Sequence, residues 1–186
     1  MAAELFYDEY PEARDTMRIH VVDSGLYPGA YGYGVVEAAK KLENGASVEE
    51  VVAYLEDWCA HAEIYFCMHT LKYAAKSGRI NGAAAFIGNA LGIKPLMHVK
   101  YGGINDVAKI RGEKNMVKTV ADYTVKAIEP GAPYCIVCGA NKNSIKDMED
   151  AMVAKLGYAP SDYYYIGAEV AANAGPELIG VIFYRK

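Results

Sequence analysis

Apolar positions along this chain recur with two different periods. Spacings of three and four residues predict helices, whereas short runs rich in β-branched and aromatic residues predict strands. The predicted helices cover residues 1–10, 35–42, 48–55, 71–76, 82–92, 114–128 and 144–156. The predicted strands cover residues 18–23, 63–68, 96–100, 104–110, 134–138, 163–166 and 178–184.

The order of these elements predicts the fold class. Strands and helices alternate through the second half of the chain, which is typical of an α/β fold. Gly102 and Gly103 stand between two extended runs, which indicates an antiparallel hairpin. A hairpin within an α/β pattern predicts a mixed sheet.

Local sequence motifs refine the prediction for the first part of the chain. Ser47 with Glu50 forms a capping box at the start of a helix. Residues 24–34 are rich in glycine, tyrosine and proline, so we expect a loop that leads into the helix at 35–42. Asp23 and Ser24 follow the predicted strand at 18–23, where we expect them to cap a turn.

Composition excludes several classes of function. The chain of 186 residues carries a net charge of -4, and it has no run of basic residues of the kind that binds nucleic acid. Its hydrophobic fraction is 53%, yet no stretch reaches the roughly 18 apolar residues of a membrane span. The N-terminus lacks a basic region followed by an apolar run. We therefore expect a cytoplasmic protein without stable membrane insertion and without nucleic-acid binding.

The cysteines offer a test of metal or redox chemistry. Without a secretion signal, the four thiols are expected to be reduced. Cys135 and Cys138 form a C-x-x-C pair, but both lie in a predicted strand, where residues three apart point to opposite faces. This spacing favours core packing over metal binding or redox chemistry, which stays the alternative. No metal ligands are predicted.

Two arginines beside glycines suggest a ligand site. Arg79 follows Gly78 and Arg111 precedes Gly112, so both side chains can approach a ligand at a turn. The helix predicted over 82–92 between them consists almost wholly of small or apolar residues. Such a helix is buried or lines a cavity, and the combination indicates a ligand that is part acidic and part apolar.

Several motifs together resemble the DegV family of bacterial fatty-acid-binding proteins. They are V-D-S at Val22–Ser24, T-L-K-Y at Thr70–Tyr73, K-S-G-R-I at Lys76–Ile80, I-K-P at Ile93–Pro95, K-I-R-G at Lys109–Gly112, I-G at Ile166–Gly167 and G-P at Gly175–Pro176. The resemblance implies a two-lobed α/β protein. Residues 1–60 would be the remnant of an incomplete N-terminal lobe, and residues 61–186 would form a C-terminal lobe with a mixed sheet.

The resemblance also implies a function. A long-chain fatty acid would lie between the lobes and would be the only bound group, with no cofactor. The protein would present the carboxylate to a separate fatty acid kinase, which makes an acyl phosphate for phospholipid synthesis. It would thus be a carrier and not itself an enzyme.

The resemblance assigns roles to particular residues. Arg79 would bind the carboxylate together with Asn173, which stands where the family commonly has a histidine. Arg111 would contact the kinase. The tunnel would be lined by Phe86, Ile87, Leu91 and Ile93.

Other functions stay open at this stage. The main alternative is a small α/β enzyme that acts on a carboxylate or phosphate substrate through Arg79 and Arg111, with His98 as acid or base. A third is a structural remnant that binds only a protein partner. If the first lobe is incomplete, the strand at 18–23 lacks sheet partners, which favours self-association. His69 and His98 are otherwise expected to be packed or surface residues. The tyrosines at 27, 31 and 33 and at 163–165 would line either a tunnel or an interface.

Overall fold

The computed structural model describes residues 2–78 and 92–186. The described helices are α1 (Ala2–Glu9), α2 (Ala13–Thr16), α3 (Pro28–Glu43), α4 (Val48–His61), α5 (Lys72–Ser77), α6 (Met116–Ala127), α7 (Asn143–Leu156) and α8 (Ala168–Ala174), with a 3-10 turn at Glu113–Asn115. The described strands are β1 (Ala62–Met68), β2 (Ile93–Lys100), β3 (Gly103–Arg111), β4 (Tyr134–Cys138), β5 (Asp162–Tyr165) and β6 (Leu178–Tyr184).

The six strands form one sheet in the order β3-β2-β1-β6-β4-β5. Only β4 and β5 are parallel neighbours, and every other neighbouring pair is antiparallel. The predicted α/β fold with a mixed sheet is confirmed. The predicted hairpin joins β2 to β3, and its turn has positive φ at Tyr101 and Gly102, the backbone that a tight two-residue turn requires.

Both faces of the sheet are covered, and the side chains alternate between two cores. On one face, Cys67, Ile136 and Phe183 pack with residues of α6 and α7. On the other face, Phe66 and Ile182 pack with residues of α3, α4, α5 and α8. The central strands therefore have continuous apolar sequences, because both of their faces are buried.

The prediction of a strand over residues 18–23 is wrong. The segment has no regular secondary structure, and it pairs with no strand among the described residues. A strand needs a neighbour for its backbone N–H and C=O groups, so β propensity alone did not produce one here. The turn after it is as predicted: the Asp23 carboxylate accepts from the Gly25 N–H at 3.1 Å, and the Ser24 hydroxyl accepts from the Leu26 N–H at 3.2 Å.

The loop predicted over 24–34 is also wrong in its second half, because α3 begins at Pro28. Proline suits the first position of a helix, where its missing N–H is not needed. Three of the glycines that suggested a loop, Gly29, Gly32 and Gly34, lie inside the helix, and Gly29 and Gly34 permit close packing. An added Cβ at Gly29 would lie 2.9 Å from Cδ1 of Ile182 on the sheet.

The capping box at the start of α4 is confirmed. The Glu50 N–H donates to the Ser47 hydroxyl at 3.2 Å, and the Ser47 N–H donates to the Glu50 carboxylate at 2.8 Å. The helix predicted over 82–92 lies outside the described residues except for Gly92. The boundary predicted at residue 60 falls beside the junction of α4 and β1. No helix within residues 2–78 and 92–186 combines the length and hydrophobicity that a membrane span requires.

Candidate functional site

The strand directions place several chain segments at one edge of the sheet. Strands β1, β3, β4 and β5 end at this edge, and β2 and β6 begin there. We call it the C-terminal edge. His69 follows β1, Arg111 ends β3, and Asn173 lies in the helix that precedes β6. Open α/β sheets commonly bind ligands in crevices at the ends of their strands.

An apolar cavity of about 390 Å³ lies on the sheet face that carries α3 and α8. Its volume falls in the range of roughly 300–1,000 Å³ that small-molecule sites occupy. The described residues that line it are Tyr27, Pro28, Gly29, Ile64, Phe66, Val99, Ile104, Val137, Tyr164, Tyr165, Ile166, Gly167, Glu169, Val170, Asn173, Ala174, Leu178 and Ile182. We call this space the apolar cavity.

Strand residues supply the floor of the apolar cavity. Ile64 and Phe66 alternate along β1, and Leu178 and Ile182 lie on the same face of β6. Sequence reasoning placed the lining in residues 86–93 and missed these positions. The signal was present in the period-two alternation of each strand, but the sequence does not say which face an open cavity will occupy.

Asn173 lines the apolar cavity at the end that faces the C-terminal edge, which we call the mouth, and is half-buried. Its side-chain N–H donates to the Glu169 carbonyl at 2.8 Å, one turn back in α8. The main-chain carbonyl of Asn173 accepts from the Ser77 hydroxyl at 3.5 Å, so the ends of α8 and α5 meet here. Arg79 comes two residues after Ser77 and lies outside the described residues.

The close meeting of α5 and α8 requires a small residue. An added Cβ at Gly175 would lie 2.9 Å from Cδ2 of Tyr73, and the backbone of Gly175 has a φ of +92°. Both the space and the conformation favour glycine at this position. The motifs around Tyr73 and Gly175, far apart in the sequence, thus form one contact beside the cavity mouth.

The tyrosines of the two clusters occupy different surroundings. Tyr27, Tyr164 and Tyr165 line the apolar cavity, with Tyr27 and Tyr165 also partly exposed, whereas Tyr31 and Tyr163 are exposed and do not line it. Burial, with a smaller contribution from the Asp162 carboxylate, raises the pKa of Tyr164. These three lining rings present apolar surface with a phenolic edge.

Most of the predicted tunnel lining lies outside the described residues, namely Phe86, Ile87 and Leu91. Ile93 is described: it begins β2 and is half-buried. It is not among the described residues that line the apolar cavity. The residue of β2 that lines this cavity is Val99, near the far end of the strand.

Arg111 ends β3 opposite Ile93 and is exposed. Its carbonyl accepts from the Asn115 side chain at 2.8 Å, which holds the turn that follows the strand. The guanidinium does not line the apolar cavity. An exposed position on the C-terminal edge suits contact with a partner better than contact with an enclosed ligand.

His98 is held away from that edge. Its Nε2 lies 2.7 Å from the Glu63 carboxylate, and its ring stacks on Tyr65 with 4.5 Å between centroids. It lies further along β2 than Ile93, the partner of Arg111, by roughly 17 Å of extended chain. The enzyme that would use Arg111 and His98 together is therefore not assembled in the described part of the chain.

His69 also has carboxylate neighbours that the sequence did not reveal. Its ring contacts the Glu113 carboxylate, and a carboxylate oxygen of Glu177 lies 3.8 Å from Nδ1. The backbone holds it too, because its N–H donates to the Glu177 carbonyl at 3.1 Å and the Lys94 ammonium donates to its carbonyl. His69 thus ties together the ends of three segments at the C-terminal edge.

The two cysteines of the C-x-x-C pair lie on opposite faces of the sheet, as predicted. Cys135 packs in the core beneath α3, and Cys138 packs in the core beneath α7. Burial raises the pKa of the Cys135 thiol to about 12. Within residues 2–78 and 92–186, no three His, Cys, Asp or Glu side chains are grouped closely enough to hold a metal ion.

Comparison with known proteins agrees with this architecture. A family model described as an uncharacterised protein of the DegV family matches residues 1–186. A DegV domain-containing protein of Streptomyces coelicolor is 31% identical over 169 residues, which cover 88% of this chain and 59% of that protein.

Solved structures share the fold. A structure described as fatty acid binding of a DegV family protein from Thermus thermophilus is 26% identical, with a TM-score of 0.78, and the match covers 99% of this chain and 65% of that one. The fatty acid kinase B3 protein of Streptococcus pneumoniae, loaded with linoleic acid, has a TM-score of 0.83 at 20% identity over 99% of this chain and 66% of that one. This chain thus spans between about three fifths and two thirds of the length of these relatives. Because the family model matches it from end to end, the chain belongs to the DegV family.

Proposed function

We propose that this protein binds a long-chain fatty acid in the apolar cavity, with the carboxylate at the C-terminal edge beside Asn173. The observation that carries the proposal is the shape of the site: an apolar space on a sheet face, with an amide side chain at its mouth. The Thermus thermophilus relative is described as binding a fatty acid, which supports the same ligand class here.

The tail supplies most of the binding free energy in this proposal. Each buried methylene contributes roughly 0.8 kcal/mol, so a chain of a dozen methylenes gives on the order of 10 kcal/mol before the costs of binding. Tyrosine, isoleucine, valine and phenylalanine side chains supply the surface for this burial. Affinity then depends weakly on the head group and strongly on the fit of the tail.

The head group still needs donors when it leaves water. An arginine side chain offers a planar pair of N–H groups that matches a carboxylate. We propose that Arg79 serves this role, because the chain reaches it two residues after Ser77, whose hydroxyl contacts the carbonyl of Asn173. The Asn173 amide adds an uncharged donor if it turns from the Glu169 carbonyl toward the ligand.

We further propose that the bound acid is presented to a separate fatty acid kinase for acyl-phosphate formation, in the cytoplasm and for phospholipid synthesis. The fold shared with the Streptococcus pneumoniae fatty acid kinase B3 protein supports this role. Arg111 is exposed on the C-terminal edge, which suits a contact with the kinase. In this proposal the chain is a carrier and performs no phosphoryl transfer.

Solvent extraction of the purified protein tests the ligand. We expect mass spectrometry of the extract to show a fatty acid in near-stoichiometric amount. Val170→Trp should empty the site, because Val170 lines the apolar cavity and the larger ring fills it. The matched control is Val153→Trp, on the exposed side of α7, which should retain the acid. An empty wild-type protein that also takes up no added fatty acid would contradict the proposal, and turnover of a small substrate would favour an enzyme.

Kinase presentation has a separate test. A fatty acid kinase supplied with ATP and the loaded protein should form acyl phosphate. Arg111→Ala should reduce kcat/KM by about tenfold without changing the amount of bound acid, since removal of a charge-assisted contact costs about 1.4 kcal/mol or more. Arg18→Ala, an exposed arginine in the segment before α3, is the charge-matched control. Equal kcat/KM values for the wild type and Arg111→Ala would remove Arg111 from the kinase contact.

A further inference from the structure

The apolar cavity has two ends that differ in chemistry. At the C-terminal edge it is bounded by Gly167, Glu169 and Asn173, which bring polar groups and backbone. At the other end it is bounded by Val99 and Ile104 of the β2–β3 hairpin, which are wholly apolar. Between the ends, the floor runs along β6 from Leu178 to Ile182, which is roughly 13 Å of strand.

At the hairpin end, two separate segments lie against each other. An added Cβ at Gly102 would lie 3.5 Å from the Gly25 carbonyl oxygen, so the hairpin turn touches the segment that leads into α3. Val99 and Ile104 are direct partners across the hairpin, just inside that contact. Ile104 is half-buried and packs against the core beneath α3.

Because the proposed function places the carboxylate beside Asn173 at the C-terminal edge, the methyl end of the ligand should reach the apolar hairpin end. We infer that Ile104, backed by Val99, is the stop for the methyl end and sets the length of fatty acid that this protein prefers. The inference rests on the proposed function, but it adds a specificity-determining position that neither the head group nor the kinase contact involves.

Side-chain volume at this position should therefore control length selection. Ile104→Ala removes about three carbon atoms from the wall and leaves space that additional methylenes can fill. Ile104→Phe adds a ring and should exclude the last methylenes of a long acid. The residues at the mouth are unchanged in both variants, so head-group binding should stay the same.

A competition experiment tests this inference. The purified wild type and variants are stripped of lipid, incubated with an equimolar mixture of lauric, palmitic, stearic and arachidic acids, re-isolated, and extracted for mass spectrometry. We expect Ile104→Ala to raise the ratio of bound arachidic to bound palmitic acid by at least about fivefold, and Ile104→Phe to lower it by a similar factor. Val99→Ala should act in the same direction as Ile104→Ala.

Val107→Ala is the matched control, since Val107 lies on the same strand, is exposed, and does not line the cavity. Thermal unfolding of each variant identifies any that fail to fold, and Val99→Ala then carries the test. Unchanged ratios in a folded Ile104→Ala and Ile104→Phe would overturn the inference while leaving fatty-acid binding intact. An equal loss of all four acids would also overturn it, because it would place the head group at the hairpin end. A wild type that binds none of the acids would instead contradict the proposed function.

Discussion

Gly34 of α3 lies directly against the indole of Trp58 in α4. A Cβ added at Gly34 would lie 2.5 Å from Cδ1 of Trp58 and 3.0 Å from its Nε1, closer than real Cβ atoms approach other atoms. The same indole N–H donates to the Ala30 carbonyl at 2.8 Å, one turn earlier in α3. Glycine at position 34 therefore sets the distance between the two helices and preserves a buried hydrogen bond.

Gly34→Ala should consequently destabilise the protein despite the better helix propensity of alanine. Moving Trp58 or separating the helices should cost about 1–3 kcal/mol, as overpacked cores do. Gly32→Ala is the control, because no atom lies within 4 Å of its added Cβ. There the gain in helix propensity should stabilise by roughly 0.5–1 kcal/mol. Urea unfolding measures the free energy of unfolding of both variants. Equal changes for Gly34→Ala and Gly32→Ala would contradict the packing argument.

The same glycines show where sequence reasoning about the fold failed. Residues 24–34 contain four glycines and three tyrosines and therefore predict a loop, because local composition does not reveal a helix that must approach a tryptophan and a sheet. By contrast, β6 was predicted to the residue, because a strand buried on both faces has continuous apolar sequence between clear breaks. Sequence patterns predict an element well when all of its surroundings are apolar, as for β6. They fail when a contact with one distant residue determines the structure, as for α3.

The candidate site was predicted in part for a similar reason. Asn173 lies at the cavity mouth, but its position came from a resemblance of motifs and not from its own chemistry. Ile64, Phe66 and Ile182 could be identified as strand residues, yet nothing local distinguishes a residue that lines a cavity from one that is covered by a helix. The contact of His98 with Glu63 joins β2 to β1, and such long-range pairs leave no periodic signal.

Substitution of Asn173 tests the head-group assignment through pH. Asparagine is uncharged at all relevant pH values, whereas histidine gains a proton below a pKa of about 6.5. Asn173→His should therefore bind the fatty carboxylate more tightly as pH falls from 8 to 6, since the protonated ring adds a positive charge at the cavity mouth. Asn173→Gln is the control and should keep the wild-type pH profile. Titration with a fluorescent fatty acid across this range measures it, and matching profiles for all three proteins would exclude position 173 from the head-group site.

The cysteines should differ in reactivity according to burial. Cys67 and Cys135 are buried, and burial raises the pKa of each thiol to about 12, so very little thiolate exists at pH 8. Burial also raises the pKa of Cys138, and only Cys59 is partly accessible. We expect iodoacetamide to modify Cys59 slowly in the native protein and the other three only after unfolding. Rapid native labelling of Cys135 or Cys138, mapped by peptide mass spectrometry, would show that this strand is not packed as described.

Glu63 is a buried carboxylate of β1 that lies beside the cations Lys100 and Arg185 and the ring of His98, which belong to β2 or directly follow β6. His98 Nε2 lies 2.7 Å from it, Arg185 Nε lies 3.2 Å away, and Lys100 Nζ lies 3.3 Å away. Glu63→Gln keeps the size but leaves these cations without their shared anion. Removal of one member of a fully buried pair costs roughly 3–5 kcal/mol, and because Lys100 and Arg185 are partly solvated we expect about 2 kcal/mol.

A surface pair provides the comparison for that effect. Lys40 Nζ lies 2.7 Å from the Glu37 carboxylate on an exposed part of α3, and such surface pairs contribute little to stability. Glu37→Gln should therefore change the unfolding midpoint in urea much less than Glu63→Gln does. High salt should also reduce the effect at Glu37 more than the effect at Glu63, because solvent screens exposed charges and reaches the buried carboxylate poorly. Similar losses of stability at both positions would mean that the strand ends around Glu63 are held by packing and not by its charge.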